Sequence, residues 1–142
     1  MRVLAIDPGS KNIGLALSDP SGTIANPFSV IKHVSRNADT DKIVEIIQAE
    51  DVEFVVVGCS YDEDGLPSFE GRKAQRFANN LIQKIDIPVK LWNEDFSTQK
   101  ARETRILMGV TRKKRKGHLD DIAATVILQN FLDHGFQRTE IS

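Results

Sequence analysis

The chain has 142 residues, 40% hydrophobic and 27% charged, the composition of a globular protein long enough to bury its own core. A single cysteine, Cys59, excludes an internal disulfide and fits a reducing compartment, while the formal net charge of −1 conceals an uneven distribution. No apolar stretch approaches the ~20 residues of a bilayer span, and Asp7 and Pro8 break the first apolar run before it could act as a signal peptide. One cytoplasmic domain over residues 1–142, with no membrane partner, is expected.

Val3–Ile6 and Ile13–Leu17 read as two strands around a Pro-Gly-Ser turn, and a third, interrupted by Pro27, is expected over about Thr23–Ile31. Such close spacing predicts an antiparallel meander. A helix follows over about Asp39–Ala49, with Ile43, Ile46 and Ile47 at helical spacing. The run FVVVG, Phe54–Gly58, is short, β-branched and continuous, as in a strand buried on both faces. A second helix is expected over about Glu70–Ile85, its stripe formed by Ala74, Phe77, Ala78, Leu81 and Ile82. Pro88 introduces a short strand, Val89–Trp92. Ser97 or Thr98 can cap a third helix reaching about Met108, and a basic loop spans Gly109–Gly117. A last helix spans about Leu119–His134, with Gly135 where a C-terminal cap belongs. The order β-β-β-α-β-α-β-α-α predicts an α/β fold with a mixed sheet, because strands alternating with helices run parallel.

Lys100, Arg102, Arg105, Arg112, Lys113, Lys114, Arg115 and Lys116 lie between Gln99 and His118, opposed only by Glu103. The stretch Asn37–Asp64 is acidic, with Lys42 its only base. This asymmetry points to a polyanionic partner; a solvated charged loop is the plainer alternative.

Three carboxylates fall at element ends: Asp7 after the first strand, Glu94 after the last, and Asp120 at the start of the last helix. In α/β sheets, ligands gather outside the carboxyl ends of the strands. Asp120 shares a stripe with Ala124, Ile127 and Phe131, so it is expected to face the sheet, whereas Asp121 follows Thr125 and Leu128. Singly, each acid has a structural explanation: a turn residue, a loop acid, a partner of a helix dipole. Three converging carboxylates would repel one another, and a divalent cation relieves that repulsion. Oxygen ligands without His or Cys select Mg²⁺ or Mn²⁺ over Zn²⁺.

DPGSKNIGLALSD, FVVVG followed by DEDG, NEDFSTQKA, and RKKRKGHLDDIAATVILQNFLD stand in this order along the chain. In these four motifs the sequence resembles the YqgF/RuvX family, the Holliday junction resolvase or pre-16S ribosomal RNA nuclease group of the ribonuclease H-like superfamily. The resemblance implies a five-stranded mixed sheet, three antiparallel strands and then parallel ones, with helices on both faces. It also implies a two-metal-ion nuclease with Asp7, Glu94 and Asp120 as catalytic metal ligands for Mg²⁺ or Mn²⁺. From its place in the turn after Asp7, Lys11 is expected to contact a phosphate (a solvated turn residue is the alternative), and Arg112, Lys113, Lys114, Arg115 and Lys116 of the basic loop to hold nucleic acid, either structured RNA or branched DNA, with the protein a monomer or weak homodimer.

The chain departs from the family pattern at Asn12, where arginine is usual, at Asn93-Glu94-Asp95, where Asp-Glu-Arg is usual, and at Cys59-Ser60, where Leu-Pro is usual. The alternative is a non-catalytic nucleic-acid-binding module of the same fold. A sugar-kinase-like ATPase also uses Asp-x-Gly but needs two such domains. A cysteine nucleophile lacks a partner, because no spacing pairs Cys59 with His33, His118 or His134.

Overall fold

The computed structural model describes residues 1–94 and 119–141, with 119–121 and 136–141 described by backbone alone. The helix expected up to Met108, the basic loop with Arg112–Lys116, and Asp95 lie outside the described residues. The strands are β1 (Val3–Pro8), β2 (Asn12–Ser18), β3 (Ala25–Lys32), β4 (Phe54–Cys59) and β5 (Val89–Asn93); the helices are α1 (Arg36–Ala49), α2 (Phe69–Ile82) and α3 (Leu119–Ile141). They build a five-stranded sheet in the order β3-β2-β1-β4-β5. β1, β2 and β3 are antiparallel neighbours, while β4 lies parallel to β1 and β5 parallel to β4. This is the expected mixed α/β sheet.

Alternation along the strands divides the core in two. Leu4, Ile6, Ile13, Leu15, Val55 and Val57 point to the face covered by α1 and α2. Val3, Ala5, Ala16, Val56 and Trp92 point to the face covered by α3. Both faces of β1 and β4 are therefore dry, which accounts for their unbroken apolar runs. β3 forms one edge of the sheet, and its pairing with β2 shifts register between Leu15 and Ala16, opposite the segment that carries Pro27.

Local chemistry moves several boundaries from where apolar periodicity puts them. β3 starts at Ala25 rather than Thr23, because one Asp19 carboxylate oxygen accepts the amides of Thr23 (2.8 Å) and Ile24 (3.0 Å) and holds them in a loop. α1 begins at Arg36, not Asp39: Ser35 caps it by accepting the Ala38 amide, and the polar first turn gave no periodic signal. α2 stops at Ile82, which is exposed rather than part of the buried stripe; Ala74, Phe77, Ala78 and Leu81 make that contact.

α3 does not end before Gly135. The helix continues to Ile141, and Gly135 is buried where a Cβ would lie 2.2 Å from the Phe131 ring. The glycine makes room for the aromatic ring and is not a cap. Phe131 stacks on Phe54 at 5.3 Å between centroids and meets Trp92 edge-on at 5.4 Å. Trp92 Nε1 donates to Asn130 Oδ1 (2.8 Å), and Gln129 accepts the Ala25 amide (2.9 Å), so α3 is pinned to both sides of the sheet.

Asp19 also sets a pH response. It accepts bonds from the Ser21 hydroxyl and from the amides of Ile24 and Thr23, which lower its pKa from 3.8 to about 2. A depressed carboxylate pKa contributes stability above its unfolded value and loses it as pH falls through the folded value. Asp19→Asn is therefore expected to be less stable than the wild type at neutral pH, with the gap closing between about pH 4 and pH 2. Thermal denaturation across that range checks it; a gap independent of pH would show that the charge does not matter.

Candidate active site

Asp7 is half-buried near the carboxyl end of β1, opposite Gly14 of β2. On its other side it lies one step beyond the Ile6–Val57 pair, beside Gly58 of β4. Alternation puts Asp7 on the face of Val3 and Ala5, and Gly58 on the face of Val56, which is the face under α3. β5 brings Trp92 to that same face, and Glu94 follows directly after the strand.

The Glu94 carboxylate comes back over β4. A Cβ placed on Gly58 would sit 3.1 Å from Glu94 Oε2 and 2.8 Å from Ile127 Cδ1. Hydrogen-bonded strands lie about 5 Å apart, so the missing side chain at Gly58 lets acids from two non-adjacent strands approach on one face. Sequence reading did not single out Gly58 for the site; its signal was an isolated glycine closing an apolar strand, a mark of close approach.

α3 completes the arrangement through its backbone. Ile127 meets β4 at Gly58 near the strand's end, and Phe131 meets it at Phe54 near its start, so α3 runs antiparallel to β4. The N-terminal turn with Asp120 therefore lies toward the carboxyl edge that carries Asp7 and Glu94. The side chains of Asp120 and Asp121 are outside the described residues. Leu128, on the stripe that Asp121 follows, is as fully buried as Phe131, because α3 is covered over a wide arc. Asp120 still lies nearer the middle of the arc formed by Ala124, Ile127, Leu128 and Phe131.

Lys11 is exposed in the β1–β2 turn at the same edge, its carbonyl accepting the His33 amide at 2.9 Å. Arg112–Lys116 cannot be placed, being outside the described residues. Cys59 is fully buried, with its thiol directed at the Gly71 carbonyl (3.5 Å). Among the described residues, no three His, Cys, Asp or Glu side chains gather into a metal-binding group; Asp7 and Glu94 are the described members of the expected trio. Their hard oxygens suit a small divalent cation.

A mixed sheet of this order, covered by helices on both faces, defines a ribonuclease H-like protein. Thermus thermophilus RuvC in complex with a Holliday junction substrate shares the fold with a TM-score of 0.62 at 18% identity, over 100% of this chain and 98% of that one. The fowlpox virus resolvase in its complex with Holliday junction DNA gives a TM-score of 0.55 at 13% identity, over 100% of both chains. The chain belongs to the RuvX family, described as Holliday junction resolvase, whose model matches residues 1–134. It is 39% identical to a protein of Desulforamulus reducens named "Putative pre-16S rRNA nuclease", over 95% of this chain and 98% of that one. A protein of the same name from Thermoanaerobacter pseudethanolicus is also 39% identical, over 94% of this chain and 96% of the relative.

Proposed function

We propose that this chain is a cytoplasmic, metal-dependent endonuclease that hydrolyses phosphodiester bonds of structured RNA at the 5′ end of the pre-16S ribosomal RNA precursor. The observation that carries the reading is the Glu94 carboxylate lying over Gly58, the β4 residue one step beyond the Ile6–Val57 pair, as Asp7 is on β1. Relatives at 39% identity named for the ribosomal RNA precursor support RNA over branched DNA as substrate.

Asp7 and Glu94, with Asp120, would hold Mg²⁺ or Mn²⁺. When bound, such a cation supplies Lewis acidity toward the attacking water and the leaving 3′ oxygen. The carboxylates fix the position of that charge at the sheet edge, and their repulsion keeps the site ready for a cation. Lys11 would hold a substrate phosphate at the turn after Asp7. Arg112–Lys116 would hold the backbone without reading sequence. The products would carry a 5′-phosphate and a 3′-hydroxyl.

Cleavage of a pre-16S 5′-end RNA and of a four-way DNA junction of matched size, each with Mg²⁺, with Mn²⁺ and with chelator, tests the reading. Metal-dependent cleavage of the RNA is expected. Cleavage of the junction alone would make the substrate branched DNA, and binding without cleavage would make the chain a non-catalytic module.

The space at Gly58 gives a separate check. Gly58→Ala drives a methyl group against Ile127 and Glu94. It is expected to lower stability by about 1–3 kcal/mol and to weaken Mn²⁺ binding in calorimetry by displacing Glu94. Undiminished Mn²⁺ binding by the folded variant would remove Glu94 from the ligand set.

A further inference from the structure

On the sheet face opposite Glu94, a cleft of about 330 Å³ opens between the β1–β2 turn, the junction of β3 with α1, and α2. It starts at Pro8 and Gly9, the residues directly after Asp7. Its cationic lining is Arg36 from α1 and the pair Lys73 and Arg76 from α2, with the His33 imidazole beside them. Its two acids are already engaged. Asp39, 3% exposed, accepts the Val34 amide at 3.0 Å and pairs with His33 Nδ1 at 2.5 Å, and Glu70 pairs with Lys73 at 3.8 Å. Among the described residues the guanidinium groups of Arg36 and Arg76 make no hydrogen bond or ion pair. The same two arginines line a second hollow of about 220 Å³, where amide side chains such as Asn79 and Gln83 join them and, among the described residues, no carboxylate does.

We propose that this cleft binds backbone phosphates of the nucleic acid strand that flanks the cleaved bond, with Arg36 and Arg76 as the principal contacts. The inference rests on the nuclease reading above and extends it to a second binding surface. A guanidinium offers paired donors that match phosphate oxygens, and two of them without partners among the described residues, in a concave site, suit an anion. The two arginines shared by both hollows favour an extended polyanion over a compact one. Because the cleft opens directly after Asp7, a strand with one phosphate at the β1 end can lay its neighbours between α1 and α2.

The test uses the pre-16S 5′-end RNA in chelator, where it is bound and not cut, and follows affinity against salt. Arg36→Gln/Arg76→Gln should bind more weakly and flatten the log–log salt slope by roughly 0.7–0.9 per lost contact, about 1.4–1.8 for the pair. Lys42→Gln/Arg72→Gln removes the same charge outside the cleft and should move the slope less. With Mg²⁺ present, the cleft variant should raise KM and leave kcat near the wild-type value. An unchanged slope, or equal changes in the two double variants, overturns the proposal. So does a cleft that loses inorganic phosphate on substitution while RNA binding holds, since it would then serve a free anion. Wild-type cleavage with an unchanged slope sinks the cleft alone; a flattened slope without wild-type cleavage supports the cleft and sinks the nuclease reading.

Discussion

Asp7→Asn is expected to abolish metal-dependent cleavage, by several orders of magnitude, while leaving the fold and most nucleic acid affinity in place. The substitution keeps the shape of a half-buried side chain at the end of β1 and removes its charge. If the two acids share the proposed site, loss of that charge relieves repulsion with Glu94, so stability should hold or rise in the absence of metal. Affinity comes mainly from lysine and arginine, so binding should change little. On the proposed reading, the chemistry depends on a cation held by several acids acting together. Glu94→Gln and Asp120→Asn should therefore resemble Asp7→Asn, and the losses should not add. Single-turnover cleavage, with Mn²⁺ binding by calorimetry, reads both quantities. Near-wild-type cleavage by Asp7→Asn would return Asp7 to the role of a turn residue.

Phe131→Ala is expected to cost about 3–5 kcal/mol of stability, the largest loss from any single truncation on the α3 side of the sheet. Its ring is fully buried, stacked on Phe54, edge-on to Trp92, and seated against Gly135. Truncation opens a cavity bordered by a strand, a helix and a large aromatic that cannot all collapse into it. Trp92 lies two residues before Glu94, so loosening this contact should also slow cleavage in the molecules that remain folded. Urea denaturation gives the stability change. A loss below about 1 kcal/mol would mean that the surrounding rings close the gap.

The strands were legible because β1 and β4 are dry on both faces and so spelled as unbroken apolar runs, and the candidate carboxylates stood out because they fall at element ends. Helix limits were harder to read. Ser35 caps α1 ahead of a turn without apolar residues, and Gly135 reads as a stop until the ring of Phe131 is seen to occupy its missing side chain. Asp7 and Glu94 could be named from sequence, but Gly58, which lets Glu94 lie over β4, depends on which face each strand shows. The cationic cleft was not legible at all. Arg36 and Arg76 are far apart along the chain, one bordering the stretch read as acidic, and only the packing of α1 beside α2 brings them together.

The irregular pairing of β3 bears on how copies of this chain can meet. An exposed sheet edge is a template onto which another molecule can add its own strand, the route to strand-exchanged dimers and to fibres. Here that outer strand carries Pro27, which lacks an amide hydrogen, opposite a break in register with β2. A second molecule approaching along β3 would find neither a straight ladder nor a full set of donors. Self-association through a sheet continued across β3 is therefore disfavoured by the strand's own covalent chemistry.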